Sequence, residues 1–409
     1  MGQVKLFGLG LLAAIIAAVY QLELPRAIVH FAGIGHTFEP LKNFPYKCQR
    51  IDHPRLQACE DMWLSESTRQ LFLACSDMGN FNVTARSLKE SIVVLDIDEP
   101  ATSDGTFPLR VMDTPDYAGV PGDEGRLYPL SLSGSDEPGG TVRLWVINAA
   151  PSADHATGAL LDQAAVGGNL TVEVFVTKGP KSTELKHMHT FAHKHIATPN
   201  RVAPRGDGTN DFWYTNDHGH SKVGLGHALS GPLGWGDVSY CTTTTTSQTN
   251  CHTVATGHKF PNGLAYNSHD GLLYVPSSLL GRVYVYKPEP PNRAKGDLEL
   301  IATLDAGMSL DNIIVDKTGD MYIAAFPRAT ELLAAYTDPY GSFPATAAIR
   351  IRKNEKVEGG YEVAKVIEDG KGGKAEVLPG ATSVLHDVKT GRLFFSSVIS
   401  PFIGVCEKI

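Results

Sequence analysis

The chain has 409 residues, of which 42% are hydrophobic, 20% charged and 8% aromatic, with a formal charge of −8. This is ordinary globular usage and excludes collagen-like, disordered and coiled-coil chains. The acidic balance argues against nucleic acid as a partner, since such binders present a basic face. A single apolar segment excludes a multi-span membrane protein, and the length allows two or three domains or one large repeat architecture.

The apolar segment opens the chain. Lys5 precedes an uninterrupted apolar run from Leu6 to Tyr20, 15 residues long. That is short of the roughly 20 residues a spanning helix needs and fits the central region of a signal peptide. No clear cleavage site follows, so residues 1–22 read as a cleaved signal or as a retained signal-anchor. A buried core helix is the third reading. Residues 23–44 read as a linker or N-terminal segment and 45–409 as the folded body. Either of the first two readings sends the chain into the secretory pathway. It is then secreted, or associated with a membrane through this segment.

The cysteines agree with an oxidising compartment. There are six, no CxxC occurs, and their spacings do not suggest zinc. Cys241 and Cys251 bracket a polar loop that a disulfide would close. Cys59 and Cys75 flank two adjacent predicted strands. Cys48 and Cys406 lie near the two ends, where a bond would close a circular fold. Asn82 and Asn169 head two N-x-T sequons, permissible glycan sites in a secreted chain.

Helical periodicity is nearly absent after residue 25, and short β-rich runs bounded by turn residues replace it. One triplet recurs, apolar-aromatic-apolar, centred on Phe72, Trp145, Trp213, Tyr274, Tyr322 and Phe394. The centres are 73, 68, 61, 48 and 72 positions apart. Several triplets are followed by a second alternating strand, such as 91–97, 171–176 and 282–286. Six irregular repeats of this kind predict an all-β, six-bladed β-propeller, with a β-sandwich pair or jelly roll as the competing reading.

Upstream of the triplets come short strands with polar starts: Cys59-Glu60-Asp61, Pro199-Asn200-Arg201, Pro261-Asn262-Gly263 and Leu310-Asp311-Asn312. In a propeller the innermost strand of each blade lines the channel, so equivalent positions converge on the axis. The converging set is Glu60, Asn200, Asn262, Asp311 and Asn312. It offers two carboxylates and three carboxamides, all hard oxygen donors. That chemistry suits Ca²⁺, which takes 6–8 oxygens in flexible geometry, better than zinc or magnesium. Taken singly, each of these residues reads better as a turn former; it is their recurrence at one repeat phase that favours a ligand set.

The order of these motifs resembles the paraoxonase/arylesterase family. Val315-Asp316 after the last motif, Thr215-Asn-Asp217-His218, Leu378-Pro-Gly380-Ala-Thr-Ser and the terminal cysteines fit as well. The resemblance runs from about residue 45 to the C-terminus. It implies a six-bladed propeller with a catalytic calcium in the channel, hydrolysing aryl esters and lactones. It implies the same five ligands and a Cys48–Cys406 disulfide. It also implies that Ca²⁺ polarises the carbonyl and stabilises the oxyanion while an activated water attacks. Related lactonase and strictosidine-synthase-like propellers share this architecture.

Two departures stand out. The family's histidine dyad is replaced: Tyr128 takes the first position, and the second falls near Asn148-Ala149. The family's buried structural calcium uses an Asp directly after the Asn of the third repeat, where this chain has Arg201. A guanidinium cannot ligate a cation, so Arg201 is expected to pair with Asp61 in its place, leaving one calcium. Asp311 and His218 are then the candidate bases. Tyr128 suits hydrogen bonding better, since phenols titrate near 10.

Other features carry less. His187, His189, His193 and His195 are expected to share one face of an extended strand, a polar face or a transition-metal patch. Residues 370–374 lack the P-loop pattern, and no GxSxG occurs. A propeller that binds a small ligand or a protein partner without turnover is the second functional reading.

Overall fold

The computed structural model describes residues 17, 19–76, 90–99, 106–119, 125–154, 156–243, 248–289 and 294–409. The sequon at Asn82 and most of the apolar run before residue 20 lie outside them. No helix among the described residues is long and apolar enough to cross a membrane.

The strands form six four-stranded antiparallel sheets arranged as blades. The innermost strands are Gln57–Ser65, Pro129–Glu137, Pro199–Pro204, Ala265–Asn267, Ser309–Val315 and Ser383–Asp387 in blades 1 to 6. Each contacts the inner strands on both sides, so the ring closes around an axial channel. In the last blade the outermost strand, Tyr46–Ile51, comes from the other end of the chain and pairs with Ile403–Lys408. Cys48 sits directly opposite Cys406 in that ladder, and their disulfide ties the closure. Cys59–Cys75 joins the two inner strands of blade 1, and Cys241–Cys251 the two outer strands of blade 3.

The recurring triplets are the second strand of every blade. Side chains alternate faces along a strand, so a triplet serves two seams at once. Leu71 and Leu73 pack against blade 6, while Phe72 packs against blade 2. Leu144 and Val146 face blade 1, and Trp145 faces blade 3. The pattern repeats to Phe394, which returns to the seam with blade 1. The core is therefore six wedges between blades, and each buried aromatic stabilises its seam by roughly 1.5–3 kcal/mol.

Two expectations about local structure need correction. In the N-terminal segment 23–44, helix Leu24–Phe31 docks through Arg26, which donates to Leu280 O at 2.9 Å and pairs with Asp305 at 2.6 Å. Helices Gly224–Leu233 and Thr330–Thr337 also sit between second and third strands. The first holds glycines and Pro232, a composition with little helix propensity, which hides it from periodicity. The four histidines do not share one strand either. His187 and His189 lie on Leu185–Phe191, whereas His193 and His195 follow its end.

Candidate functional site

The inner strands begin irregularly, and the irregularities fall on the polar positions. Ladder pairing shifts register between Gln57 and Asp61, between Pro199 and Val202, and between Leu310 and Ile313. A bulge re-aims side chains and frees them from alternation. Glu60, Asn200, Asp311 and Asn312 all lie within these bulges. In blade 4, Pro261 makes an isolated bridge to Ser277 and regular pairing resumes only at Ala265, leaving Asn262 between. Phe260, just before, has a φ of 52°, a strained conformation for a bulky residue. Gly263 is required by close approach: a Cβ there would lie 2.7 Å from Asn312 Cα and 2.8 Å from its Oδ1.

Among the five residues the amide nitrogens are all engaged. Asn312 Nδ2 donates to both Glu60 oxygens at 3.0 and 2.9 Å, and to Ser383 Oγ at 3.0 Å. Asn262 Nδ2 donates to Ser278 Oγ at 3.1 Å, and Asn200 Nδ2 to Asp217 Oδ2 at 3.3 Å. The oxygens are the reverse. Oδ1 of Asn200, Asn262, Asp311 and Asn312 are all buried with no hydrogen-bond partner among the described residues. Four orphaned acceptors in one place need an explanation, because a buried unsatisfied oxygen costs about 1–3 kcal/mol.

The charges point the same way. Burial pushes the Glu60 carboxyl well above the usual carboxylate range, and the negative charges of Asp61 and Asp311 add to it. Asp311 is raised likewise by burial and by Asp61, and Asp217 by burial. Among the described residues, no three His, Cys, Asp or Glu side chains gather to hold a metal. The convergent set is instead three carboxamides and two carboxylates. Oxygen donors of this kind, deprived of partners and carrying excess negative charge, fit a hard divalent cation.

One level along the axis lies Asp61, which is fully buried. Its Oδ2 accepts from Arg201 Nε at 2.8 Å and Ser131 Oγ at 2.7 Å, and its Oδ1 from Met62 N at 2.8 Å and Ser383 Oγ at 3.1 Å. Arg201 Nη1 donates to the carbonyls of Leu264 and Ile313. One guanidinium thus braces blades 1, 3, 4 and 5.

His218 follows Asp217 at the top of blade 3. Its Nδ1 lies 2.6 Å from Ser230 Oγ and 3.0 Å from His227 O, and its ring stacks on His227 at 3.6 Å. Burial lowers its pKa, with Asp217 opposing. Ser230 is fully buried and donates to His227 O at 2.6 Å, so it serves to orient and is not placed to attack a substrate. Tyr128 is buried, and its amide donates to Asn148 Oδ1 at 2.8 Å. Asn148 in turn donates to Tyr117 OH at 3.0 Å and Thr171 Oγ1 at 3.3 Å, a structural role at the second dyad position. The Asn169 sequon begins the third strand of blade 2, half-buried.

Sequence reasoning did not select Asp217, Ser383 or Tyr336. Asp217 lay in plain view beside His218. Ser383 starts the inner strand of blade 6, the repeat position left unassigned. Tyr336 sits on a helix in a connection. It is 43% exposed, yet partial desolvation raises its phenol and the charges of Asp311, Glu60 and Asp217 add to the rise, so it lies near the site.

A family model described as Arylesterase matches residues 164–390, more than half of the chain. No curated protein matches the chain. Among solved structures, the luciferin-regenerating enzyme shares 12% identity at a TM-score of 0.47, covering 88% of this chain and 95% of that one. A protein of unknown function from Bacteroides thetaiotaomicron VPI-5482 shares 10% at 0.48, covering 88% and 76%. A candidate 6-phosphogluconolactonase from Bacteroides uniformis ATCC 8492 shares 14% at 0.43, covering 82% and 77%. These structural likenesses carry no argument about chemistry.

Proposed function

Because this chain belongs to the arylesterase family, we propose that it is a calcium-dependent hydrolase of carboxylic esters and lactones, aryl esters among them. The observation that carries the reading is the set of four buried oxygens on Asn200, Asn262, Asp311 and Asn312 that lack a partner among the described residues. With Glu60 they would hold one Ca²⁺. When bound, the ion supplies Lewis acidity for the substrate carbonyl.

The remaining work falls to the protein. Asn312 and Ser383 fix Glu60. Tyr336 stands near the site on its helix, partly open to solvent. His218 is the better base of the two candidates, because Asp311 is committed as a ligand. Its Nδ1 is held by Ser230 and His227 O, leaving Nε2 to take a proton, and burial keeps the imidazole neutral. Water adds to the acyl carbon, its proton passes to Nε2, and the departing alkoxide or phenolate recovers that proton. Arg201 stands in for a second metal by balancing Asp61. The three disulfides fit an oxidising, extracellular setting.

Binding without turnover is the second reading, favoured by the structural engagement of Asn148 where the dyad's second histidine would be. The deciding experiment is phenyl acetate and lactone hydrolysis with chelator, with restored calcium, and with His218→Gln. Chelator-sensitive turnover that falls roughly 10²–10⁴-fold in the variant supports hydrolysis. Chelator-insensitive turnover, or none, opposes it.

A further inference from the structure

We propose that the opposite end of the axial channel is a second binding site, for a small flat monocarboxylate of benzoate size. A cavity of about 310 Å³ opens there, at the lower end of the range for small-molecule sites. Its walls are the far halves of the inner strands: Trp63, Ser133–Ser135, Val202–Pro204 and Val315-Asp316. These lie about four residues beyond Asp311 and its equivalents, or roughly 13 Å along a strand. The two ends are separated by the Asp61–Arg201 pair, so this is a distinct site and no extension of the first.

Two charged side chains line the cavity, and their engagement decides which ligand charge fits. Asp316 has both oxygens occupied: Oδ1 accepts from Thr318 N at 2.8 Å and Thr318 Oγ1 at 2.7 Å, and Oδ2 lies 2.8 Å from His386 Nδ1. Arg201 forms the floor with a side chain only 3% exposed. Its Nε goes to Asp61 and its Nη1 to two carbonyls, which among the described residues leaves Nη2 as the donor available to a ligand. Asp61 already balances the guanidinium's charge, so Nη2 offers a ligand one N–H donor, which suits an acceptor such as a carboxylate and not an ammonium.

The walls select a flat ring. Trp63 and Tyr266 belong to blades 1 and 4, which face each other across a six-bladed ring. Trp63 lies flat on Gly134, where any Cβ would come within 2.6–2.9 Å of three indole atoms. Tyr266 is held against Trp213 at 5.4 Å. His269 completes the rim. A flat ring fits between these two aromatic walls and gains apolar contact with both.

The assignment depends on neither calcium nor hydrolysis. The test is a calorimetric titration of the chelator-treated full chain with benzoate, with benzylamine as the charge control. Wild type and Asn262→Ala are expected to bind one benzoate equally. Trp63→Ala and Tyr266→Ala, each checked for an unchanged melting profile, are expected to bind it about tenfold more weakly. Absence of benzoate binding to wild type overturns the proposal. So does benzylamine binding as tightly, or a loss in Asn262→Ala with no loss in the two aromatic variants.

Discussion

Asn312 holds Glu60 although 252 positions separate them: one amide nitrogen lies 3.0 and 2.9 Å from the two carboxylate oxygens. The contact joins blades 5 and 1 across the channel and fixes the only carboxylate contributed by blade 1 to the proposed calcium set. Asn312→Ala is expected to weaken calcium binding by more than about 100-fold, because it removes both a donor oxygen and the clamp. Ser383→Ala loosens only the clamp and should cost about tenfold. Calorimetric calcium titrations of the two variants check the order; a larger effect in Ser383→Ala would contradict it.

The buried Asp61–Arg201 pair gives the second prediction. Arg201→Met leaves Asp61 uncompensated in the core and should cost about 3–5 kcal/mol in urea unfolding. Arg201→Asp recreates facing carboxylates, so its stability should rise with added calcium by more than that of wild type. Equal calcium responses in the two proteins would show that the guanidinium does not occupy a metal's place.

Stability should also depend on pH through His258, which ends the last strand of blade 3 just before Phe260-Pro-Asn262. Burial lowers its pKa to about 4, and its Nε2 lies 3.0 Å from Tyr286 OH. An unfolded histidine titrates near 6.5, so between these values the unfolded chain binds the proton and the native one does not. Stability is therefore complete above pH ~6.5 and falls as the pH drops toward the folded value, by about 3 kcal/mol in total. His258→Gln should flatten this part of the profile in urea titrations between pH 7.5 and pH 4.5. A slope equal to that of wild type would contradict the burial argument.

The blades were legible because each triplet must satisfy two seams, and strict alternation writes that demand into Leu71-Phe72-Leu73 and its five counterparts. The polar starts of the inner strands were legible because repeat phase fixes a residue's place within its blade. Cys48 and Cys406 suggested closure, yet nothing local showed that Tyr46–Ile51 would complete the sixth blade. The helices at 224–233 and 330–337 were hidden, since one is rich in glycine and neither has a strongly one-sided apolar face. Ser230 and Tyr336 escaped for that reason: they reach the site from connections, where spacing carries no phase. The pairing of Cys59 with Cys75 needed the register of two strands, which a bulge alters.

The central claim is that Glu60, Asn200, Asn262, Asp311 and Asn312 form a single calcium site. Its most direct test is a calcium titration of chelator-stripped protein, wild type against Asn262→Ala, read by calorimetry together with bound-metal analysis. The account predicts one calcium per wild-type chain and a large loss of affinity in the variant. Two calcium ions per chain, none, or an unchanged titration in Asn262→Ala would contradict it.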